Sequence, residues 1–299
     1  MSRARPATNS RNPILVTGVP RSGTTWLART LATASGAALA GREPMNPRGR
    51  QYGLGRTLQG WTRLEDPNRR QIRLLRSSYR GNNPLVLSRY GYRQWAAPLP
   101  WTQVIVKDPF AMLSLPAVAA ATQALPVLIY RHPGAVLSSY RRMGWTADLE
   151  DLKGVVSLPD EPNLYREGQA ADHIAPSDVA DMARFWVALN QQALADLEHL
   201  PRAVVVSHHD ISTGNATALK QLVRLCGLPW KGLSAGPRAS QPHAAVSVNN
   251  SSALHNFNRA PAEVAQGWRK YISEQEASII EDIAGPTLQD LDLERASLV

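Results

Sequence analysis

The residues best suited to chemistry lie near the amino terminus, where Gly18 and Gly23 bracket four residues and Thr24 and Thr25 follow. If a helix begins at Gly23, its first N–H groups have no partner within the helix and carry the positive end of the helix dipole. Such groups bind anions, and the two threonine hydroxyls add further donors. Arg21 supplies a positive charge in the same loop. The stretch therefore predicts a site for an anionic ligand.

A strand and a helix must position this loop. Residues 14–16 are Ile-Leu-Val, as expected for a buried strand, and Gly18 permits a turn that a larger residue could not follow. The spacing has the outline of a nucleoside-triphosphate P-loop, although Thr24 stands where that loop has lysine. A nucleotide-kinase loop that has diverged is therefore one alternative.

The run Pro-Arg-Ser-Gly-Thr-Thr-Trp-Leu at residues 20–27 resembles the 5′-phosphosulfate loop of sulfotransferases that use 3′-phosphoadenosine 5′-phosphosulfate (PAPS). The resemblance implies that Trp26 stacks on the adenine. It also implies that the 5′-phosphosulfate is held by Arg21, Ser22, Gly23, Thr24 and Thr25.

A second strand, tight turn and helix are predicted around residues 125–140. The strand is apolar and ends at Arg131, and Pro133 suits the first turn of a helix. Ser139 follows Arg131 by eight positions, which resembles the 3′-phosphate motif of sulfotransferases. A guanidinium at a strand end and a hydroxyl two turns into a helix can converge on one phosphate. Both motifs occur in the order found in that family.

Glu43 is the first candidate for a general base. Pro44 stops regular structure directly after it and so fixes a carboxylate at the end of an element, where parallel α/β proteins place functional groups. Many bacterial and glycan-modifying sulfotransferases have a similar Glu-Pro pair, and the resemblance implies that Glu43 is the base. An ordinary surface glutamate is the alternative.

Lys107 and Asp108 end another predicted strand, so a parallel sheet would place them at the same edge as the phosphate loop. Cytosolic sulfotransferases have a catalytic histidine near this point, but this chain has Lys-Asp-Pro. Lys107 is predicted to contact the transferring sulfuryl group or the acceptor, with a structural ion pair as the alternative. Asp108 is the second candidate for the base.

The carboxyl-terminal part holds weaker candidates. His208 follows a predicted strand, at a position where relatives usually have tyrosine. It either contacts adenine or has its hydrogen bonds satisfied within the protein at the strand end. Gly-Trp-Arg at residues 267–269 resembles part of a sulfotransferase motif that clamps the 3′-phosphate and adenine, which implicates Trp268 and Arg269. Arg259 is a weaker candidate, because Arg-Ala-Pro replaces the usual Arg-Lys-Gly of that motif.

The chain has a net charge of +9, and one segment carries it. Residues 42–93 hold twelve arginines against three acidic residues, a surplus that equals the net charge of the chain. Such a segment attracts anions, and the expected partners are PAPS, an acidic glycan or an anionic lipid surface. A solvated arginine-rich surface is the alternative. Nucleic acid is not expected, because the segment has no lysine and no recognisable nucleic-acid-binding motif.

Composition bounds the class of protein. The chain has 299 residues, of which 43% are hydrophobic, and this is enough to form a core. No apolar stretch precedes Ile14, which predicts a cytoplasmic protein without a signal peptide or membrane helix. The single cysteine, Cys226, is expected to be a buried hydrophobe, and no histidine or cysteine cluster has metal-ligand spacing.

Strands that alternate with helices predict a three-layer α/β/α domain with a mainly parallel sheet. The resemblance adds a P-loop-like core of about five strands. We expect one domain over residues 1–299, with a flexible basic tail at 1–12. Residues 44–100 and 143–176 are interpreted as insertions or a lid on the acceptor side.

The predicted function is transfer of a sulfuryl group from PAPS to an acceptor hydroxyl of a carbohydrate, glycolipid or small metabolite, by in-line displacement and without a metal. An amine acceptor is less favoured. A P-loop phosphotransferase would need a lysine after Gly23, and a non-catalytic protein that binds anionic glycans would leave both nucleotide motifs unexplained. The acceptor and the oligomeric state, a homo-oligomer included, are left open.

Overall fold

The computed structural model describes residues 12–47, 52–86, 93–160, 177–213, 216–230, 267–296 and 298. Within these residues, five strands form one sheet. The strands are β1 (Ile14–Thr17), β2 (Ala37–Leu39), β3 (Gln103–Lys107), β4 (Leu125–Tyr130) and β5 (Val204–Ser207).

All four strand pairings are parallel, and the strand order is β2-β3-β1-β4-β5. The chain leaves β1 toward one side of the sheet to form β2 and β3, and it then crosses to the other side for β4 and β5. The order of strands therefore reverses next to β1, and ligands of such sheets bind at that point, beyond the carboxyl ends of the strands. The predicted three-layer, parallel, five-stranded architecture is confirmed.

The helices of the described residues connect these strands. They are α1 (Thr24–Leu31), α2 (Arg69–Tyr79), α3 (Leu115–Thr122), α4 (Pro133–Met143), α5 (Ser177–Leu197), α6 (His208–Thr213), α7 (Ala216–Leu225) and α8 (Glu274–Glu294). A further helical turn at Tyr52–Arg56 contains non-helical dihedral angles. Short 3₁₀ helices lie at Pro84–Val86, Gln94–Ala96, Pro109–Ser114, Glu150–Leu152 and Gly267–Tyr271.

Two hydrophobic clusters cover the two faces of the sheet, because successive side chains of a strand point to opposite faces. Leu15 belongs to the cluster with α2, α3, α4, α5 and α8. Ile14 and Val16 belong to the cluster with α1 and α7, which also contains the buried Cys226. The strands are thus apolar on both sides, as parallel strands between two helical layers must be.

Three features near the sheet complete the described fold. The last helix continues to Glu294 across the Gly285-Pro286 pair inside it. His208 follows β5 directly, as predicted, and begins a short helix. Residues 144–160, part of the segment interpreted as an insertion or lid, fold onto the core, where Leu152 is fully buried. No helix in the described ranges is long and apolar enough to cross a membrane.

Trp186 on α5 offers a test of how the helical layer holds the sheet. Its indole is fully buried and donates from Nε1 to the carbonyl oxygen of Arg131 at 3.0 Å. Replacing Trp186 with Phe removes this donor and leaves a small cavity, so we expect the free energy of unfolding to fall by about 2–3 kcal/mol in urea denaturation. The control Trp95→Phe alters a side chain that is 78% exposed and should change it by less than about 0.5 kcal/mol. Equal losses in the two variants would contradict this account.

Candidate active site

The loop between β1 and α1 packs so closely against its neighbours that two of its positions require glycine. Gly18 has φ 147°, and a Cβ atom there would lie 2.1 Å from the carbonyl oxygen of Ile129 on β4. Gly23 has φ 100°, and a Cβ atom there would lie 2.4 Å from Cδ2 of His208. Any larger residue would push the loop away from β4 and β5. The predicted strand, loop and helix are confirmed, with α1 beginning at Thr24.

Gly23 is the N-cap residue of α1 and provides no side-chain acceptor, and the first turn holds no acidic residue. The N–H groups of that turn have no partners within the helix, so an anion would satisfy them. The hydroxyl-bearing residues Thr24 and Thr25 lie in this first turn, where the sequence predicted them.

Three buried polar atoms around the loop have no hydrogen-bond partner among the described residues. They are Ser22 Oγ, Trp26 Nε1 and His208 Nδ1. Buried polar atoms normally have partners, and leaving one unpaired costs about 1–3 kcal/mol. The rings of Trp26 and His208 are neighbours, with centroids 6.1 Å apart. This arrangement fits a polar ligand that completes the hydrogen bonding of the loop.

Guanidinium groups converge beside the loop. Arg21 donates from Nε to Ser139 Oγ at 2.9 Å, and Arg131 donates from Nη1 to the carbonyl oxygen of Arg21 at 3.2 Å. The structure thus joins the first sequence motif to the second, since Arg131 directly follows β4 and Ser139 lies on α4. The ring of Trp145 lies 5.7 Å from the Arg21 guanidinium carbon. Arg131 and Ser139 are buried.

The electrostatics of this cluster favour anions. Burial first, and then the positive charges of Arg142 and Arg21, lower the pKa of Arg131 to about 10. Burial and the charge of Arg142 likewise lower the pKa of Arg21, opposed by Tyr140. Like charges held together in a partly desolvated site repel each other, and a bound phosphate would relieve that repulsion. The cluster is therefore suited to a phosphate group.

The predicted carboxyl-terminal ligand Trp268 packs on the start of α4. Its ring stacks on His132 with centroids 4.3 Å apart, and a Cβ atom at Gly134 would lie 2.5 Å from it. Arg269 lies over the Trp268 ring at 5.6 Å. Burial, with the charges of Arg269 and Arg131, lowers the pKa of His132 to about 4, so His132 is neutral near pH 7. Trp268 and Arg269 thus lie beside the residue that follows Arg131.

His208 is 5% exposed, and its pKa is lowered to about 3 by burial first and then by the charges of Arg131 and His209. A neutral imidazole beside Gly23 and Trp26 can donate or accept one hydrogen bond at Nδ1. Arg259, the remaining predicted ligand, lies outside the described residues.

The predicted catalytic carboxylates lie on the β2–β3 side of the same edge. Glu43 accepts hydrogen bonds from Lys107 Nζ and from Asn46 Nδ2, and its side chain is 17% exposed. The ion pair with Lys107 matches one of the two sequence interpretations of that lysine. It orients the partly exposed Glu43 carboxylate at the carboxyl ends of β2 and β3.

Asp108 is fully buried, in contrast to Glu43. Its Oδ2 accepts from the Met45 N–H at 2.6 Å and its Oδ1 from the Phe110 N–H at 3.1 Å. Burial raises the pKa of Asp108 to about 7, helped by the charge of Glu43 and opposed by Lys107 and the two N–H donors. The two carboxylates therefore have different environments within one short stretch of the sheet edge.

Two residues near the predicted ones, Arg142 and Asn46, were not expected from the sequence. Arg142 contributes charge to the cluster, and it lies three positions after Ser139 on α4, so helical periodicity contained the signal. Asn46 lies three positions after Glu43 and contacts it through a loop conformation that no periodicity predicts.

The described arginines of α2, part of the arginine-rich segment, lie away from this site. Four exposed arginines of α2 and its end line a cavity of about 510 Å³, namely Arg69, Arg73, Arg76 and Arg80. A cavity of about 500 Å³ next to it is lined by Pro13, Thr102 and Gln123, which precede β1, β3 and β4. These arginines therefore lie at the amino ends of the strands, opposite the phosphate loop. No group of three or more histidine, cysteine or acidic residues in the described ranges could hold a metal ion.

Comparison with known proteins agrees with this geometry. A sequence model of the sulfotransferase family matches residues 13–232. No curated protein sequence is significantly similar to the chain. Among solved structures, the sulfotransferase domain from the curacin biosynthetic pathway has 16% sequence identity and a TM-score of 0.50, covering 92% of this chain and 99% of that domain. This likeness concerns the fold.

Two further solved structures are similar at lower TM-scores. Mouse sulfotransferase SULT7A1, complexed with PAP, has 13% identity and a TM-score of 0.45, covering 95% of this chain and 87% of its own. Sulfotransferase STF1 from Mycobacterium tuberculosis H37Rv has 15% identity and a TM-score of 0.38, covering 95% of this chain and 76% of its own. Because the family match spans well over half of the residues and includes the phosphate loop and both carboxylates, the chain belongs to the sulfotransferase family.

Proposed function

We propose that this protein transfers a sulfuryl group from PAPS to the hydroxyl of an acceptor, with Glu43 as the general base. The observation that carries the proposal is the convergence of Arg21, Arg131 and Ser139 beside a glycine loop at the carboxyl edge of the sheet. PAPS has two anionic groups, a 5′-phosphosulfate and a 3′-phosphate. The loop with Arg21 and the α1 N-terminus suits the first, and Arg131 with Ser139 suits the second.

The adenine would lie near Trp26 and His208. The unpaired Nε1 and Nδ1 atoms of these residues can bond a purine, and the Trp26 ring can stack on it. Ser22 Oγ, also buried without a described partner, would donate to the phosphosulfate. The polar atoms of the site thus match the polar atoms of this nucleotide.

In the proposed reaction, the acceptor oxygen forms a bond to the sulfur while the bond from sulfur to the 5′-phosphate oxygen breaks. Glu43 takes the proton of the acceptor hydroxyl, and Lys107 holds the Glu43 carboxylate in place. The α1 N–H groups and Arg21 stabilise the negative charge that develops on the leaving phosphate. Glu43 is preferred to Asp108 as base because Asp108 is fully buried and both of its oxygens already accept backbone hydrogen bonds.

The first experiment is calorimetric titration of the protein with 3′-phosphoadenosine 5′-phosphate (PAP), ATP and a sulfated oligosaccharide. Selective binding of PAP supports the proposal. Preference for ATP with Mg²⁺ would indicate a phosphotransferase, and binding of the oligosaccharide alone would indicate a glycan-binding protein. Radiolabelled PAPS with a panel of sugars, glycolipids and small alcohols then identifies the acceptor class.

Arg131→Ala tests the assignment of the 3′-phosphate. The variant should bind PAP at least about tenfold more weakly, because a charge-assisted hydrogen bond contributes roughly 1.5–3 kcal/mol. It should bind adenosine 5′-phosphate nearly as the wild type does, since that ligand has no 3′-phosphate. Calorimetry with both nucleotides measures the ratio, and Arg76→Ala on the opposite edge is the matched control. Equal weakening for both ligands would show that Arg131 supports the fold instead.

Arg21→Ala tests stabilisation of the leaving group. Turnover of PAPS should fall by about a hundredfold or more, as for other groups positioned at developing charge, while the affinity for PAP falls less. Steady-state kinetics with calorimetry separates the two effects, and Arg21→Lys should restore part of the rate. Losses of equal size in turnover and in PAP affinity would instead assign Arg21 to ground-state binding together with its neighbour Ser139.

Glu43→Gln tests the base. Glutamine keeps the size and most hydrogen bonding of the side chain but cannot accept the proton, so turnover should fall by about a hundredfold to ten-thousandfold. PAP binding should remain, and the exposed control Glu65→Gln should retain full activity. If Glu43→Gln turned over normally while folded Asp108→Asn were inactive, the base would be Asp108.

A further inference from the structure

Asp108 ties together the carboxyl ends of β1, β2 and β3. Its backbone N–H donates to Val16 O at 3.0 Å and its carbonyl oxygen accepts from Thr17 Oγ1 at 2.8 Å. These bonds fix the residue to β1. Its carboxylate holds the segment after β2 through the Met45 N–H, and the start of the next 3₁₀ helix through the Phe110 N–H.

The Met45 N–H is close in the chain to the proposed base. Only Pro44 separates Met45 from Glu43, and the proline ring fixes one of the two dihedral angles between them. The partner of Glu43, Lys107, directly precedes Asp108. The carboxylate of Glu43 and the ammonium group that orients it are thus both anchored at the end of β3.

We infer that Asp108 is a positioning residue for the proposed reaction, in which its carboxylate holds the Glu43 segment through the Met45 N–H and takes no proton from the acceptor. This inference rests on the proposed role of Glu43. A shift of about 1 Å in a reacting group can lower the rate about a hundredfold. The hydrogen bonds from the Met45 and Phe110 N–H groups to the Asp108 carboxylate, called the clamp below, therefore affect turnover without touching the substrate.

The clamp depends on the ionised carboxylate. Two N–H groups donate to its two oxygens, and a protonated carboxyl group must use one oxygen as a hydroxyl, which weakens one of these bonds. The charged and titratable groups that face it are Glu43, Lys107 and the buried Tyr79, whose pKa is raised by burial and by Asp108. Because the pKa of Asp108 is about 7, the hydrogen bonds of the clamp should weaken as the pH falls below that value.

The clamp strengthens as the pH rises through the pKa of Asp108, whereas the contribution of Asp108 to the free energy of unfolding falls over the same range. The pKa of Asp108 is higher in the folded protein than in the unfolded chain, so the folded protein binds a proton more tightly. This contribution to stability is complete below the unfolded pKa of about 4 and is lost as the pH rises through about 7. Ionisation of Asp108 therefore strengthens the hold on Met45 while lowering the free energy of unfolding.

Nuclear magnetic resonance of the ¹⁵N-labelled full chain tests the clamp without any assay of activity. The amide resonances of Met45 and Phe110 should shift together as the pH crosses about 7. In Asp108→Asn this titration should disappear, and the Met45 amide should exchange faster with solvent. The matched control is Asp196→Asn, a buried carboxylate paired with Arg63, which should preserve the titration. A Met45 amide that titrates equally in Asp108→Asn, or does not titrate in the wild type, overturns the inference.

A double-mutant cycle on PAPS turnover, with the best acceptor of the panel above, tests whether Asp108 acts through Glu43. Asp108→Asn should lower kcat by about tenfold to a hundredfold and leave PAP affinity unchanged. The double variant Glu43→Gln, Asp108→Asn should be about as slow as Glu43→Gln alone, because the clamp has no base left to position. If the losses of kcat in the two single variants instead multiplied in the double variant, the inference would be overturned. Multiplication of independent effects is the result expected for the control pair Asp196→Asn and Glu43→Gln. If the wild type neither binds PAP nor turns over PAPS, the proposed function fails, and the amide titration still decides whether the clamp exists.

Discussion

The close approach of the β1–α1 loop to β4 is the constraint on which the site depends. Gly18 has no side chain, so the loop lies against the backbone of Ile129 at a distance that no Cβ atom allows. The chain emerging from β1 then places the carbonyl oxygen of Arg21 within reach of Arg131 and the start of α1 beside His208. A backbone contact at one position therefore brings three separate segments together at one edge of the sheet.

The edge divides into a cationic half and a half that holds carboxylates. Arg21 and Arg131 lie in the loops after β1 and β4 and Arg142 lies on α4, while Glu43, Lys107 and Asp108 lie at the ends of β2 and β3. The strand order explains the division, because β3 and β4 flank β1 on opposite sides. The arginine-rich helix α2 belongs to neither half, since its cavities open at the amino ends of the strands.

Burial gives the two carboxylates different properties. Asp108 is enclosed by the core and by backbone donors, so its ionisation is costly near neutral pH. Glu43 is partly exposed and oriented by a cation. Maintaining a buried charge reduces stability, and the structure offsets part of that cost with the Met45 and Phe110 N–H groups. Burial and the two N–H donors thus act in opposite directions on the ionisation of Asp108.

The sequence by itself determined the layer architecture, the glycine loop between β1 and α1, and the places of Arg131 after a strand and Ser139 on the following helix. These features depend on local periodicity, on glycine and proline positions and on spacing along one strand or helix. It also located Glu43, Lys107 and Asp108 at strand ends. Only the tertiary structure decided that Arg21 bonds Ser139, that Trp268 stacks on His132, and that Asp108 is enclosed while Glu43 is accessible. Those features depend on which strands are neighbours and how closely their loops pack. Contacts between residues separated by more than a hundred positions leave no periodic signal in a single sequence, so only the folded chain reveals them.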